Sequence, residues 1–272
     1  MKGLCGSPVF EEPHVADPNL RHTSGAAHRA ASSAAVLPAM TAPSLRVEQD
    51  ADLPRALAEL GLAPAAGAIV LVGGASGMSP DHVRRVEPLF REAVAPAADR
   101  AGAVVVDGGT DTGVMRLMGR ARATTGASFP LLGVVAAALV SRGDEAGQRN
   151  GSERPEPHHT HFVLVPGERW GDESVWLARI ANILAGRASV TLLVNGGDIA
   201  WQDAARSVAA GRRVIAVAGS GRTADELAAA VRGDPADSRA STLAESGLVD
   251  IIPWDEPHAL ELRLQDLLAD RA

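Results

Sequence analysis

"VVVDGGTDTGVMRLMGRAR", Val104 to Arg122, carries a run of valines into Asp107, two glycines and two threonines before an amphipathic segment begins. Consecutive β-branched residues without polar alternation mark a strand buried on both faces. The segment that follows reads as a helix, with Met115 and Met118 on its core side. A strand that ends in small residues just where a helix starts brings main-chain N–H groups, rather than side chains, to the strand's carboxyl end.

The same unit recurs along the chain. Apolar runs stand at "AIVLVGG" (68–74), "FPLLGVVAAALV" (129–140), "THFVLVPG" (160–167), "SVTLLVNGG" (189–197), "RVIAVAGSG" (213–221) and "LVDIIPW" (248–254). Amphipathic segments such as "DHVRRVEPLFREAVAPAADR", "ESVWLARIANILAG", "WQDAARSVAAG" and "TADELAAAVRG" separate most of them. Buried strands alternating with helices predict a Rossmann-like, doubly wound α/β domain with a mostly parallel sheet and helices on both faces. One domain spanning about 48–272 accounts for the pattern. Trp176 and Trp201 fall on apolar helix faces and are expected in the core.

Composition narrows the function. At 46% hydrophobic and 22% charged, the 272 residues fall in the ordinary globular range. No apolar run approaches the roughly 20 residues of a membrane-spanning helix, and "MKGLCGSPVFEEPH" lacks the hydrophobic stretch of a secretory signal. Cys5 is the single cysteine, so neither an intrachain disulfide nor a cysteine metal site is available. These features favour the cytoplasm. A net charge of −7 without a lysine- or arginine-rich block disfavours nucleic acid, whose binding rests on neutralising phosphates.

Two stretches break the alternation. Residues 1 to about 47, rich in Ala, Ser, Pro and His, read as a disordered tail in which Met40 is a second candidate start. Residues 141–157, "SRGDEAGQRNGSERPEP", read as a flexible loop: either an anion-contacting flap using Arg142, Arg149 and Arg154, or a solvated connection of mixed charge.

In open α/β sheets ligands bind at the carboxyl ends of the strands. Those ends supply Gly73, Gly74, Ser76 and Gly77; Gly108, Gly109, Thr110, Thr112 and Gly113; Arg169 and Trp170; Asn195, Gly196 and Gly197; and Gly219, Ser220, Gly221 and Arg222. One glycine turn carries little information, because tight βα turns need glycine for structural reasons. Convergence of five on one rim points to a concave site for an anionic, phosphorylated ligand, with hydroxyl donors from Ser76, Thr110, Thr112 and Ser220. The P-loop pattern is absent, and "GSGRTA" lacks a clearly placed acid about 20 residues on, as a dinucleotide site would have. In "HHTHF", His159 and His161 share a strand face, but no third ligand follows, so no metal is expected. One histidine is expected buried and hydrogen-bonded, and another, His161, in the cleft. Trp170 either stacks on a base or caps the sheet edge.

"HTHFVLVPGERWGDES", "SVTLLVNGG" and "RVIAVAGSGRTADELA" resemble, in that order, the LSDAT family of the SLOG superfamily, found in bacteria and at the cytosolic N-terminus of TRPM channels. "GGTDTGVMRLMG" is similar to a motif of the "lonely guy" phosphoribohydrolases, another SLOG branch. The resemblance implies turns that hold the phosphates of a nucleotide-derived ligand, ADP-ribose or an NAD-like molecule, with no required cofactor. Arg222 or Arg169 would neutralise the phosphates, and Trp170 or Phe162 would contact the base. It also implies an alternative, an N-glycosidic hydrolase acting on a nucleoside monophosphate through Glu173. However, the threonine of the phosphoribohydrolase motif is missing and its acid pair is displaced at "PGERWGDE". A third reading is an association module with a vestigial pocket. Homo-oligomerisation and an effector partner stay open.

Overall fold

The computed structural model describes residues 42–140, 152–234 and 236–269, which belong to one compact unit. Eight strands form a single sheet in the order β1-β5-β4-β3-β2-β6-β7-β8. They are β1 (Ser44–Arg46), β2 (Gly67–Gly73), β3 (Ala103–Asp107), β4 (Leu131–Ala136), β5 (His161–Val165), β6 (Ser189–Val194), β7 (Arg213–Ala218) and β8 (Val249–Pro253). Every neighbouring pair is parallel. Parallel strands need crossovers, and the helices that supply them cover both faces.

Side-chain alternation divides the core. Val70, Val72, Val104, Val106 and Leu193 face α1 (Leu53–Glu59), α5 (Ser174–Ala185), α6 (Asp198–Ala209), α7 (Arg222–Val231) and α8 (Ser238–Glu245). Ile69, Leu71, Val105, Leu192 and Ile215 face α2 (Pro80–Leu89), α3 (Ala95–Ala101), α4 (Gly113–Thr125) and α9 (Pro257–Ala269). Trp176 and Trp201 lie in the first layer and Met118 in the second, as their helical positions require. Between α2 and α3, residues Phe90–Val94 form a π-helical turn in which Ala95 N–H reaches Phe90 O. Pro96, which has no N–H and whose ring crowds the preceding turn, stands just beyond this widening.

Two boundaries differ from expectation. Residues 44–47, expected in the tail, belong to the edge of the sheet. Ser44–Arg46 pair with Phe162–Leu164, and Val47 is buried, its N–H donating to Leu164 O at 2.9 Å. A three-residue edge strand held by main-chain bonds has no apolar run to announce it. The rest of the expected tail, with Met40, lies outside the described residues. Likewise residues 141–151 of the expected loop, Arg142 and Arg149 among them, lie outside, whereas 152–157 pack against the body. Glu153 bridges Val140 and Pro155 bridges Thr110, while Arg154 offers its carbonyl, not its exposed side chain, to Asp111 N–H at 2.8 Å. Among the described residues no helix is long and apolar enough to cross a membrane.

Candidate functional site

From β2 the chain winds outward through β3, β4 and β5, then returns through α5 to lay β6 on the other side of β2. The turns after β2 and β6 therefore diverge, and a crevice opens between them at the carboxyl rim. A cleft of about 250 Å³ lies there, with Gly73, Ser76, Gly108, Thr110 and Thr112 in its wall. Trp170, Glu173 and Asp203 also line it.

The β3 turn is set by Asp107. Its buried Oδ1 accepts the Gly109 N–H at 2.7 Å, which bends the chain immediately after the strand. Thr110 and Thr112 follow, both buried, with hydroxyls 3.1 Å apart. Thr112 precedes α4, and its side chain does not cap the helix. Val114 N–H donates to Gly74 O at 3.0 Å, locking the β2 and β3 turns together. Gly113, at φ +46°, permits this: a Cβ there would lie 1.9 Å from that carbonyl.

The glycines divide into two groups. Gly108 faces the cleft, since a Cβ there would meet nothing nearer than Met115 Sδ at 3.9 Å. Gly109 faces the core: its Cβ would lie 2.9 Å from Gly133 Cα and from Phe162 Cε1. Gly74, Gly196, Gly219 and Gly221 likewise pack on Met78, Ala200, Trp254 and His82. Gly77 and Gly197 border the exposed Arg222, whose guanidinium nitrogens would lie 3.1 and 2.8 Å from a Cβ at each. Arg222 adopts φ +54°, and among the described residues no carboxylate pairs with it.

Five expected ligand contacts, Ser220, Asn195, His161, Phe162 and Arg169, are placed elsewhere by the structure. Ser220 is fully buried; its hydroxyl donates to Val217 O at 2.6 Å and accepts Asn195 N–H at 2.8 Å. Asn195 Nδ2 donates to Ser220 O at 2.7 Å, so this pair ties the β6 and β7 turns together. Asn195 Oδ1 stays buried and unpartnered beside Gly74. His161 begins β5 and so sits at the opposite end of the sheet, half-buried, with burial and the nearby Arg122 pushing its pKa down. Phe162 stacks on His159 inside the core and cannot reach a base in the cleft. Arg169 is exposed and lies outside the cleft wall.

The "PGERWGDE" turn is shaped by its acids. Asp172 Oδ2 accepts the N–H groups of Glu168 and Arg169 at 2.9 and 3.0 Å, which holds its pKa below the usual range. Glu173 Oε2 accepts Gly171 N–H at 3.0 Å; burial raises its pKa against the opposing main-chain donors. Burial pushes Asp203 up to about 7, with the Ser174 hydroxyl opposing and the charge of Glu173 adding to the rise. Trp170 stands 38% exposed at the mouth, which fits a stacking surface better than a sealed sheet edge.

A buried network escaped sequence reading. His159 Nε2 lies 2.8 Å from Asp107 Oδ1, and Nδ1 lies 2.9 Å from Glu156 Oε2. Burial alone would lower the His159 pKa, but the two carboxylates outweigh it and raise it to about 9. Gly119, inside α4, makes room: its Cβ would fall 2.1 Å from Glu156 Oε2. This network clamps residues 152–159 onto the β3 turn. The buried histidine was expected; its two acids were not, because they lie 52 and 3 positions away from it. Asp203 carried a readable signal, standing on the apolar stripe of α6 with Ala200, Ala204 and Ser207. Among the described residues no cluster of three metal-binding side chains occurs.

A family model described as "SLOG in TRPM, prokaryote", the prokaryotic LSDAT family, matches residues 66–262. The chain belongs to this family. The LSDAT match takes in β2 through β8 and all the rim turns described above. Among solved structures, the molybdenum cofactor carrier protein of Chlamydomonas reinhardtii is similar at 15% identity, with 75% of this chain and 99% of that one covered and a TM-score of 0.50. The molybdenum cofactor binding protein of the phototrophic bacterium Rippkaea orientalis aligns at 13% identity, 72% and 95% coverage and a TM-score of 0.47. The protein TM1055 aligns at 21% identity, 73% and 99% coverage and a TM-score of 0.47. The first likeness shows a shared Rossmann-like fold. No curated protein matches the sequence.

Proposed function

We propose that this LSDAT domain binds a nucleotide-derived small molecule in the rim cleft, with ADP-ribose or an NAD-like molecule as the favoured class. One observation carries the reading: α4 starts without a side-chain cap in the wall of a cleft that also presents Thr110, Thr112 and Ser76, with the Val114 N–H alone in that turn taken by Gly74 O. Unpaired N–H groups and the positive end of the helix dipole attract phosphate. Arg222, beside Gly77 and Gly197, supplies the neighbouring positive charge. At about 250 Å³ the cleft is smaller than the ~300–1,000 Å³ of whole-ligand pockets, so it seats part of the molecule while the rest extends past Trp170.

ADP-ribose should raise the melting temperature and adenosine should not. A ligand at 100 times its Kd contributes about 2.7 kcal/mol, and the effect should shrink as salt screens the exposed Arg222. Equal shifts from the two compounds would sink the reading.

Arg222→Gly separates binding from folding. Removing a positive-φ side chain relieves about 1–2 kcal/mol of strain, offset by roughly 0.5–1 kcal/mol of added unfolded-state freedom. Stability should therefore stay near wild type or rise slightly, while calorimetric affinity for ADP-ribose falls about tenfold, a loss of ~1.4 kcal/mol.

A second reading, N-glycosidic hydrolysis, is favoured by the raised carboxyl of Glu173 in the cleft wall. Such a carboxyl suits protonation of a leaving group. Arg169, standing outside the wall, offers it no phosphate partner there. Incubation with AMP, followed by chromatography for adenine, tests it: free adenine supports hydrolysis, and intact AMP leaves binding alone.

A further inference from the structure

The cleft offers acid and no base. Glu153, Glu173 and Asp203 line it, and among the described residues no Lys, Arg or His does. None of the three carboxyls belongs to an ion pair among those residues. Asp203 is 8% exposed; its Oδ1 is sealed behind the wall without a partner, which leaves Oδ2 to face the cleft. Arg206, one turn along α6, reaches it only through its charge. The rest of the lining includes Leu71, Met115, Leu177 and Ile199, with Trp170 38% exposed at the mouth.

Carboxylates in apolar surroundings are stabilised by an opposite charge, and the described residues supply none inside this cleft. A metal ion is a poor complement, because among the described residues no three ligating side chains converge. An ammonium or guanidinium group is poor too: each of its N–H donors needs an acceptor, and the apolar walls have none. The complement left is a flat cation whose charge is spread over a ring and whose charged nitrogen bears no hydrogen. Such a cation is held by the field of nearby carboxylates and by an aromatic face, without aligned hydrogen bonds. Among the parts of nucleotide derivatives, the oxidised nicotinamide ring has this character. The reduced ring is neutral, and the terminal ribose of ADP-ribose carries only hydroxyls.

We propose that the cleft is a cation subsite that reads the oxidation state of a nicotinamide dinucleotide: the pyridinium ring lies between the apolar walls, in the field of Glu173 and Asp203, while the diphosphate rests at the start of α4. Trp170 covers the ring's outer end, where the cleft opens. The assignment rests on the reading that this cleft takes a nucleotide derivative, and it adds selection of the oxidised form over the reduced one and over ADP-ribose.

The test is titration calorimetry on the full chain with NAD+, NADH and ADP-ribose, which share the adenosine diphosphate portion and its charge. NAD+ should bind about tenfold more tightly than either of the others. The NAD+ analogue with a carboxylate in place of the ring amide should lose that advantage, because its ring portion carries no net charge. A double variant, Glu173→Gln with Asp203→Asn, keeps the shape of both side chains and an oxygen for the Gly171 N–H. It should bind NAD+ and NADH alike and keep the wild-type affinity for NADH. NADH binding as tightly as NAD+ to the wild-type protein overturns the cation subsite, and so does ADP-ribose binding as tightly; either result leaves the phosphate site standing. A folded double variant that retains the tenfold preference overturns the role of the two acids. The wild-type comparisons decide the matter if the double variant does not fold. Failure of all three compounds to bind overturns the underlying reading, and this assignment with it.

Discussion

Gly109→Ala should lower stability by about 2–5 kcal/mol, combining the ~1–2 kcal/mol of a side chain held at positive φ with ~1–3 kcal/mol of overpacking. Gly109 sits at φ +66°, and its added methyl would press on Gly133 Cα, Phe162 and Val135 at 2.9–3.0 Å. The neighbouring Gly108→Val should behave in the opposite way. Gly108 faces the cleft with only Met115 near, at 3.9 Å. The valine should fill the phosphate seat, abolish ADP-ribose binding and leave the melting temperature within a few degrees of wild type. Denaturant unfolding of both variants, with calorimetry on Gly108→Val, decides the matter. From the sequence, Gly109 is one of the rim glycines expected at the phosphate. The structure turns Gly109 to the core and leaves Gly108 bordering the cleft.

Asp107→Ala should cost about 3–5 kcal/mol, the usual effect of removing one partner from a buried charge network. Its Oδ1 serves both His159 Nε2 and Gly109 N–H, so the variant loosens the 152–159 clamp and the β3 turn together. The network also sets a pH limb. The His159 pKa is raised in the folded state, to about 9 from an ordinary 6.5, so the native protein holds more protons than the unfolded chain between those values. Its contribution is fully present below about pH 6.5 and is lost as pH rises through about 9. Wild-type melting temperature should fall across that window, and His159→Gln should flatten it. Asp203 acts in a lower window, from the ordinary carboxyl value to about 7, again with stability falling as pH rises. A His159→Gln profile parallel to wild type between pH 6.5 and 9 would show that the imidazole is neutral in the fold.

Local pattern alone determined the architecture. Unbroken runs such as "AVVVD" and "SVTLLV" are buried on both faces, and in a chain that alternates strands with helices this calls for a parallel sheet covered by helices. The rim itself was equally legible, because in a parallel sheet every strand's carboxyl end lies on the same side. Thus Gly73, Gly108, Thr110, Thr112, Trp170 and Glu173 came together as the turn sequences implied. Tertiary structure alone decided what each small or polar residue does there. A glycine in a turn looks the same whether its missing Cβ faces a ligand, as at Gly108, or a phenylalanine, as at Gly109, because the direction of that bond depends on the neighbouring strand. Ser220 reads as a free donor until the β6 turn arrives to use it. Asp107, Glu156 and His159 read as separate polar residues until β3 and the 152–159 segment pack together and bring the imidazole between the two carboxylates. Periodicity records which face of an element is buried; it does not record what lies against that face.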